Sequence, residues 1–385
     1  MLARLGQISR PTAKTPERAV LGSHVEPVAL SSLLMLSYDL GGAFESTASS
    51  RHRATWPLVA AFQTRDQLIH DREHGAWWGT GALAEVDATR MLLTPASPVV
   101  PAGVRDIRIE TAPEAYMSGV ARAKAHIAAG DCYQINLTHA MRATLVGSAR
   151  GVFARLLEAA DPWHGAYVEW NDAGVHHAVA SASPELFLEF DAGTRRVRTR
   201  PMKGTRRSLE QRDELWSSEK ERAELHMIVD LMRNDLSRVC EVGSVRVASP
   251  RTIEQHGTPS SLPGIGTSIL QATALVEGKL RDDVGLDALL AATFPPGSIT
   301  GAPKIRVMQL IDVLEARSRG PYCGCVGGLF DNGDLELNVA IRTALIRGNE
   351  VEYAVGAGII ADSDPKAEWE ETLVKAGPLR ALERG

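Results

Sequence analysis

Short segments in which hydrophobic and polar residues alternate occur along this chain, and a period of two is typical of half-buried β-strands. The alternating segments are Leu33–Tyr38, Ala166–Trp170, Val175–Ala182, Leu186–Phe190 and Arg195–Thr199. Turn-forming residues join neighbouring segments over a few positions, as at 171–172 and 191–193. Such short connections predict hairpins, and therefore antiparallel sheet.

Other parts of the chain have a hydrophobic period near 3.6 residues, which is typical of amphipathic helices. The predicted helices are Pro113–Ala129, Gly151–Ala160, Ser218–Ser237, Gly285–Ala292, Ala302–Ala316 and Asp364–Leu382. Before the last helix, the strand pattern returns at Gly324–Phe330, Leu335–Arg347 and Val351–Ile360. Runs of strands followed by runs of helices predict an α+β sandwich rather than a βαβ alternation.

The same patterns divide the chain into three parts. Residues 1–25 have mixed charges and little periodicity, which predicts a flexible leader. We expect residues 26–104 to form a small, truncated N-terminal portion that packs on the main domain. Residues 105–385 contain no internal repeat and no low-complexity linker, so they are predicted to form one domain.

The composition limits the possible partners. The chain has 385 residues, of which 44% are hydrophobic and 23% charged, and a formal net charge of −5. This charge argues against nucleic-acid binding over the whole surface. We find no long apolar span, no signal peptide and no metal-ligand spacing among the four cysteines. We therefore expect a cytoplasmic protein without a membrane or nucleic-acid partner.

One lysine lies in a strongly basic setting. Seven basic residues and no acid occur from Arg195 to Arg207, and Lys203 stands between Met202 and Gly204. Neighbouring cations disfavour the charged form of an amine, so they are expected to lower the pKa of Lys203 and make it a nucleophile. A solvated basic loop, or a nucleic-acid-binding module, is the alternative interpretation.

Two predicted helices each carry glutamates three residues apart, and this spacing places each pair on one helix face. The pairs are Glu221 with Glu224, and Glu368 with Glu371. Convergent carboxylates would suit Mg²⁺, which prefers oxygen ligands. Two solvent-exposed acidic faces would have the same spacing.

Three further features could bind an anion. The segment Phe294–Lys304 is rich in glycine and proline and leads into a helix, although it lacks the P-loop pattern. Gly356-Ala357-Gly358 would let backbone amides approach a carboxylate closely. Arg342 lies in an otherwise apolar segment, so its guanidinium requires a carboxylate from a substrate or from the protein.

Together, these segments resemble the chorismate-utilising enzymes, and within that family the aminodeoxychorismate synthases, over residues 105–382. The resemblance rests on Gly130–Leu137, Ser183–Phe187, Arg200–Thr205, Met227–Asp235, Phe294–Lys304, Ala340–Thr343, Gly356–Ile359 and Ala367–Thr372. It implies a large two-lobed α/β sandwich in which residues 105–385 form a chorismate-binding catalytic domain.

The resemblance also implies an activity, which is the Mg²⁺-dependent amination of chorismate at C4 to 4-amino-4-deoxychorismate. Lys203 would be the nucleophile and Glu185 the general acid. The position of Lys203 is an alanine in anthranilate synthases, and Gln134 occupies the place of a water-activating lysine in isochorismate and salicylate synthases. The other implied site residues are Tyr322, Arg342, Gly356, Ala357, Gly358, Lys375, Thr300 and Gly301 for the substrate, and Glu221, Glu224, Glu368 and Glu371 for Mg²⁺.

Nothing in the chain resembles the reactive-cysteine module that releases ammonia from glutamine, so the resemblance implies a separate glutaminase subunit. Two other activities remain open within the family. One is that of anthranilate synthase component I. The other is chorismate binding without efficient turnover, because Ser261-Leu262-Pro263-Gly264 stands where the family usually has His-Leu-Val-Ser.

Overall fold

The structure is a computed structural model that describes residues 19–20, 28–71, 76–84, 102–160, 162–206, 211–256 and 269–384. The first strands are β1 (Ala19–Val20), β2 (Leu30–Leu36), β3 (Val59–Gln63), β4 (Gln67–Asp71), β5 (Ala76–Thr80), β6 (Gly103–Ile109), β7 (Gln134–Val146), β8 (His164–Asp172), β9 (Val175–Ser183) and β10 (Leu186–Asp191). The later strands are β11 (Arg196–Arg200), β12 (Met202–Arg206), β13 (Arg246–His256), β14 (Ile269–Lys279), β15 (Gly301–Ala302), β16 (Cys325–Phe330), β17 (Leu335–Asn338), β18 (Thr343–Arg347) and β19 (Glu350–Ile359).

These strands form two large antiparallel sheets and a small one. The larger sheet has the order β12-β14-β11-β10-β17-β16-β2-β3, with β13 on the other edge of β14. The second has the order β15-β7-β19-β18-β9-β8, with β6 also paired to β7. β1, β5 and β4 form the small sheet. The predicted α+β sandwich is confirmed.

The α-helices pack around the sheets. They are α1 (Gly41–Phe44), α2 (Pro113–Ala128), α3 (Ala149–Ala160), α4 (Arg212–Ser217), α5 (Glu219–Ser237), α6 (Leu286–Thr293), α7 (Lys304–Glu315), α8 (Pro365–Lys375) and α9 (Gly377–Ala381). The six predicted helices are all present, but the last is two helices. Pro378 in the first turn of α9 lacks the N–H that a continuous helix would need, so α8 ends at Lys375. None of the helices in the described ranges is long and apolar enough to cross a membrane.

The seven-stranded sheet is buried on both faces. Along β9, Val179 belongs to the main hydrophobic core, whereas Ala178 and Ala180 belong to a second core that includes Leu156 of α3 and Leu379 of α9. Burial of both faces explains why the 13-residue strand β7 escaped the alternation pattern, since nearly all of its first ten residues are buried.

The chain crosses between the two large sheets at two places that matter for function. The first crossing, from β9 to β10, contains Pro184 and Glu185. The second crossing, at residues 339–342, joins β17 to β18 and contains Arg342. The predicted continuous strand Leu335–Arg347 was therefore wrong. The chain leaves one sheet for the other there, and Arg342 has a left-handed backbone with φ of 51°.

A β-bulge positions Lys203. Lys203 pairs with Ala272 and Thr205 pairs with Gln271, so Gly204 is an extra residue in β12. Gly204 has φ of 74°, and a Cβ there would lie 2.6 Å from Glu221 Oε2. Glycine is therefore required both by the backbone conformation and by the approach of α5.

The described ranges leave some sequence expectations untested. Nearly all of the predicted leader lies outside them, and so does the Ser261–Gly264 segment.

The turn at residues 192–195 is at the far end of the β10–β11 hairpin from Glu185 and Lys203. A change in the length of that turn would therefore leave the functional end of the hairpin in place.

His139 of β7 makes the fold sensitive to acid. Its side chain is 1% exposed, packs against Tyr116 and Trp369, and has Nε2 2.9 Å from Thr372 Oγ1. Burial, followed by the nearby Arg317 cation, lowers the pKa of His139 to about 4. Because the imidazole has a pKa near 6.5 when unfolded, the stability that it contributes is complete above pH 6.5 and is lost as the pH falls through 4.

We therefore expect the wild-type protein to lose about 3 kcal/mol more unfolding free energy than His139→Phe between pH 7 and pH 4. Urea unfolding at a series of pH values measures this difference. The matched control is His226→Phe, because His226 is exposed on α5 and should follow the wild type. Parallel curves for His139→Phe and wild type would show that the buried imidazole does not control acid stability.

Candidate active site

Lys203 projects into a buried place between the two large sheets. Its side chain is 13% exposed, and its Nζ lies 3.6 Å from Glu224 Oε2 on α5. A Cβ on Gly358 of β19 would lie 3.0 Å from Nζ and 3.3 Å from the Gln134 amide. β12, β19, β7 and α5 thus meet at the Lys203 amine.

The surroundings of Lys203 differ from the expected cluster of cations. Arg198 pairs with Glu189 at 2.8 Å, and Arg200 pairs with Glu254 at 2.5 Å. These arginines lie on one face of β11, and acids on nearby strands neutralise their charges. Among the described residues, the charge within ion-pair distance of Lys203 is Glu224, which has the opposite sign. The expectation of a like-charge environment was therefore wrong.

Glu185 is buried at the first sheet crossing, with 4% exposure. Desolvation raises the pKa of its carboxyl to about 7. The Ser298 hydroxyl, the charges of Lys203 and Arg342 and the backbone of Met202 oppose this rise. Ser298 Oγ comes near the carboxylate but meets normal hydrogen-bond geometry with no described residue. Glu185 can thus carry a proton near neutral pH, as a general acid must.

Arg342 faces the same space from the second sheet crossing. Desolvation lowers the pKa of its guanidinium, while Tyr353 and Glu185 oppose the change. Within the described ranges, no carboxylate lies within ion-pair distance of it. A partly buried guanidinium without a protein carboxylate is suited to bind a carboxylate of a ligand.

Gln134, at the start of β7, is also available to a ligand. Its side chain is fully buried, and neither amide atom has a hydrogen-bond partner in the described part of the chain. Such a group normally has a partner, so the site has unused donor and acceptor capacity beside Lys203. The sequence analysis named Gln134 only for the lysine that it replaces, and gave Ser298 no role of its own within Phe294–Lys304. One polar residue in a buried strand or loop gives no periodic signal.

The Phe294–Lys304 segment forms a loop that closes one side of the site. Thr300 is fully buried, and its Oγ1 donates to the backbone oxygens of Pro296 and Gly297. Gly301 has φ of 141°, and a Cβ there would lie 2.0 Å from the backbone oxygen of Gln134. These contacts fix the loop against β7, and they explain the glycine at position 301.

The second glutamate helix reaches β19 two residues from Gly358. Lys375 of α8 donates to the Gly356 oxygen at 2.9 Å and pairs with Glu371 at 2.7 Å. Since Gly356 and Gly358 are about 7 Å apart along one strand, the Lys203–Glu224 and Lys375–Glu371 pairs are neighbours. The Gly356 carbonyl is thus engaged by the protein itself.

The four glutamates supply oxygen ligands of the type that Mg²⁺ prefers, but they do not form one cluster. Glu224 and Glu371 have lysine partners, and Glu368 accepts a hydrogen bond from Ser363 at 2.6 Å. Glu221 lies beside the Gly204 bulge. In the described ranges, no three acidic, histidine or cysteine side chains are close enough to hold a metal ion. The magnesium assignment remains a prediction.

Tyr322 lies in a buried network of charged side chains. It is 4% exposed, and burial raises its pKa far above the usual value. The charged groups near it are Arg319, Arg317 and Glu315, which belong to a network between α7 and β7. The structure therefore brings together Lys203, Glu185, Arg342, Gly358 and Glu224 most closely, with Tyr322 in the adjoining buried network.

Comparison with known proteins identifies the family of this chain. Residues 7–381 match the family described as "chorismate binding enzyme". The chain is 40% identical over 274 residues to anthranilate synthase component 1 of Aquifex aeolicus, covering 69% of this chain and 52% of that protein. It is 37% identical over 295 residues to aminodeoxychorismate synthase of Streptomyces griseus, covering 75% of this chain and 38% of that protein.

A solved structure has the same fold. It is anthranilate synthase component I from Streptococcus pneumoniae TIGR4, with a TM-score of 0.79 and 25% identity, covering 98% of this chain and 85% of that one. The chain matches about half the length of the curated anthranilate synthases to which it is similar. The family match over nearly the whole chain, with this fold, shows that the chain belongs to the chorismate binding enzymes.

Proposed function

We propose that this protein aminates chorismate at C4 to give 4-amino-4-deoxychorismate. The observation that carries the proposal is the Lys203 amine, which lies in the buried site beside Gly358 and the unpartnered Gln134 amide. A relative with the printed name aminodeoxychorismate synthase supports it. An amine in this position can form a covalent bond to a bound substrate.

The proposed reaction has two displacement steps. In the first, the Lys203 ammonium loses a proton to solvent, the resulting amine bonds to C2 of chorismate, the ring double bond shifts, and the C4 hydroxyl leaves. In the second, ammonia bonds to C4, the double bond shifts back, and the C2–N bond to Lys203 breaks. The lysine returns to its starting form after each cycle. The net change replaces the C4 hydroxyl and releases one water.

Glu185 supplies the proton that the leaving hydroxyl needs. A carboxyl with a pKa of about 7 is still partly protonated at neutral pH and becomes a base after donating. Its burial excludes water from the reacting bond. In the second step, the same carboxylate can take the proton that the adding ammonia loses.

The remaining residues would bind the two carboxylates of chorismate and its ring. Arg342 has an unpaired guanidinium for one carboxylate, and Lys375 with the backbone of Gly356 to Gly358 flanks the other side of Lys203. Tyr322 would complete this set, and Thr300 and Gly301 would line the ring. Mg²⁺ binding by Glu224 and Glu371 with Glu221 and Glu368 would require these side chains to leave their present partners and converge, and the bound ion would neutralise a substrate carboxylate. Ammonia would come from a separate glutaminase subunit.

Replacing Glu371 tests the magnesium assignment. We expect Glu371→Gln to raise the Mg²⁺ concentration for half-maximal turnover at least about tenfold, because one anionic oxygen ligand is lost. Titration of Mg²⁺ by calorimetry should show the same weakening. Glu370→Gln is the matched control, since Glu370 is the exposed neighbour on the same helix. An unchanged magnesium response in Glu371→Gln would remove this residue from the ligand set.

The central experiment is product identification. The purified chain is incubated with chorismate, Mg²⁺ and an ammonium salt at mildly alkaline pH, and the products are separated by liquid chromatography and identified by mass spectrometry. We expect an amino product that keeps the enolpyruvyl group and that an added lyase converts to 4-aminobenzoate. Untouched chorismate would contradict the proposed amination.

Anthranilate synthesis is the second candidate function, and one specific observation favours it. Several similar relatives, including those from Aquifex aeolicus and Haloarcula marismortui, have the printed name anthranilate synthase component 1. In that case ammonia would add at C2 without a covalent enzyme intermediate, and pyruvate would be released. Anthranilate and pyruvate in the same assay would establish this function in place of C4 amination.

A further inference from the structure

The loop that closes the site is held at both of its ends by one buried ammonium group. Lys304, the first residue of α7, donates to the oxygen of Thr293, the last residue of α6, at 2.5 Å. The same Nζ pairs with Asp235 Oδ2 of α5 at 2.5 Å. The two charged side chains are 11% and 6% exposed. Residues 294–303 therefore start and finish at a single point.

A second buried ion pair holds the middle of the loop. Arg319 donates to the Ile299 oxygen at 2.8 Å and to the Asn136 oxygen of β7 at 2.7 Å. Its guanidinium pairs with Glu315 at 2.6 Å, and both side chains are almost fully buried. Between these two anchors lies Ser298, whose hydroxyl comes near the Glu185 carboxylate.

Stability alone does not account for the Lys304–Asp235 pair. Burial lowers the pKa of Lys304 and raises that of Asp235, so desolvation works against both charges. Apolar side chains of similar volume often stabilise a buried position as well as an ion pair does, or better. A lysine, however, can bind a carbonyl and a carboxylate at once, and so fixes the distance between three chain segments.

We propose that Lys304, together with Asp235, is a positioning residue that holds Ser298 and the 294–303 loop against the general acid Glu185. This inference rests on the proposed function, since it takes Glu185 as the proton donor. Lys304 does not act on the substrate itself. It sets the position of the loop, and the loop completes the wall of the Glu185 pocket.

The groups that face Glu185 show why loop position matters. Lys203 approaches from β12, Arg342 from the second sheet crossing, the backbone of Met202 from the start of β12, and Ser298 from the loop. The first three are fixed by the sheets. Only Ser298 depends on the loop, and a displaced loop would also admit water to a carboxyl that is now buried. Loss of Ser298 removes a group that favours the carboxylate, whereas entry of water relieves the desolvation that disfavours it. Because desolvation is the largest influence on the pKa of Glu185, the net change favours the ionised carboxylate.

Two variants test the inference. Lys304→Met removes the ammonium group and keeps the length of the side chain. Lys304→Met combined with Asp235→Leu removes both charges, so it retains a folded protein if the single variant is unstable. Arg155→Met is the matched control, because Arg155 binds the oxygens of Ala102, Ala381 and Leu382 far from the site.

In the double variant, we expect kcat for chorismate to fall at least about 100-fold while KM changes by less than about threefold. The alkaline limb of the pH profile should move to lower pH by about half a unit or more. Arg155→Met should keep both kcat and the pH profile, whatever its melting temperature. A folded double variant with wild-type kcat and an unmoved pH profile would overturn the proposal.

A readout independent of turnover separates this inference from the proposed function. Infrared difference spectroscopy can follow protonation of the Glu185 carboxyl as the band that is absent in Glu185→Gln. The band should titrate at lower pH in the double variant than in wild type. If wild type formed no 4-amino-4-deoxychorismate, the proposed function would fail. An unshifted Glu185 titration would instead remove the positioning role of Lys304, whichever reaction the enzyme catalyses.

Discussion

Lys203→Ala is expected to reduce formation of 4-amino-4-deoxychorismate at least about 10³-fold, because the variant lacks the atom that bonds to C2. Binding of chorismate should persist, since Arg342 and the β19 backbone are unaffected. Turnover is measured by coupling the product to an added lyase, and binding by calorimetry. Intact-protein mass spectrometry of wild type without ammonia should show a species heavier by chorismate less water.

The Lys203 prediction separates the two candidate functions. Lys279→Ala is its control, since Lys279 is a half-exposed lysine on β14 that pairs with Glu241. If wild type makes 4-amino-4-deoxychorismate and Lys203→Ala does so at the same rate, then the lysine is not a nucleophile. If both proteins make anthranilate at equal rates, the enzyme belongs with the anthranilate synthases.

Glu185→Gln is expected to lower kcat by about 10² to 10⁴-fold, the range for loss of a positioned general acid. In wild type, the pKa of Glu185 of about 7 means that the protonated fraction falls as the pH rises through 7. The rate of the first displacement should fall with it. Single-turnover measurements from pH 5 to 9 test this, and a first step that is independent of pH would rule out Glu185 as the acid.

The same substitution should have the opposite effect on stability. The pKa of Glu185 is raised from an unfolded value near 4.5, so the folded protein binds the proton more tightly than the unfolded chain. The contribution of Glu185 to the free energy of unfolding is therefore largest below pH 4.5, and it declines as the pH rises towards 7. The stability of Glu185→Gln relative to wild type should increase by about 3 kcal/mol between pH 4 and pH 8.

Glu189→Gln provides the control for this stability measurement, because Glu189 is on β10, the strand that follows Glu185, and pairs with Arg198 near the surface. Urea unfolding at each pH gives the free energies. A constant difference between Glu185→Gln and wild type across the range would show that the buried carboxyl does not titrate near neutral pH.

Motif positions in the sequence were sufficient to predict much of this site. Lys203, Glu185 and Arg342 were each singled out, and the structure places all three around one buried space. Short strands such as β11 could be predicted because buried and half-buried residues alternate along them. β7 could not, since both of its faces are buried, and neither could the break before Arg342, which depends on which sheet each strand joins.

Charges were the least predictable part of the site. A run of basic residues in the sequence does not show which acids face it across a sheet, and Glu254 is 54 residues from its partner Arg200. The Lys304–Asp235 pair spans 69 positions for the same reason. Pairing of this kind follows from tertiary contacts, which local periodicity does not contain.

The two crossings of the chain between the sheets have a consequence for protein engineering. Glu185 and Arg342 are not on loops that could be grafted onto another scaffold. Each lies in a short connection between a strand of one sheet and a strand of the other. Their separation is set by how the two sheets stack. A designer who wishes to transplant this chemistry must therefore copy the stacking of the whole sandwich, and one who wishes to alter the specificity can do so by changing residues that pack between the sheets.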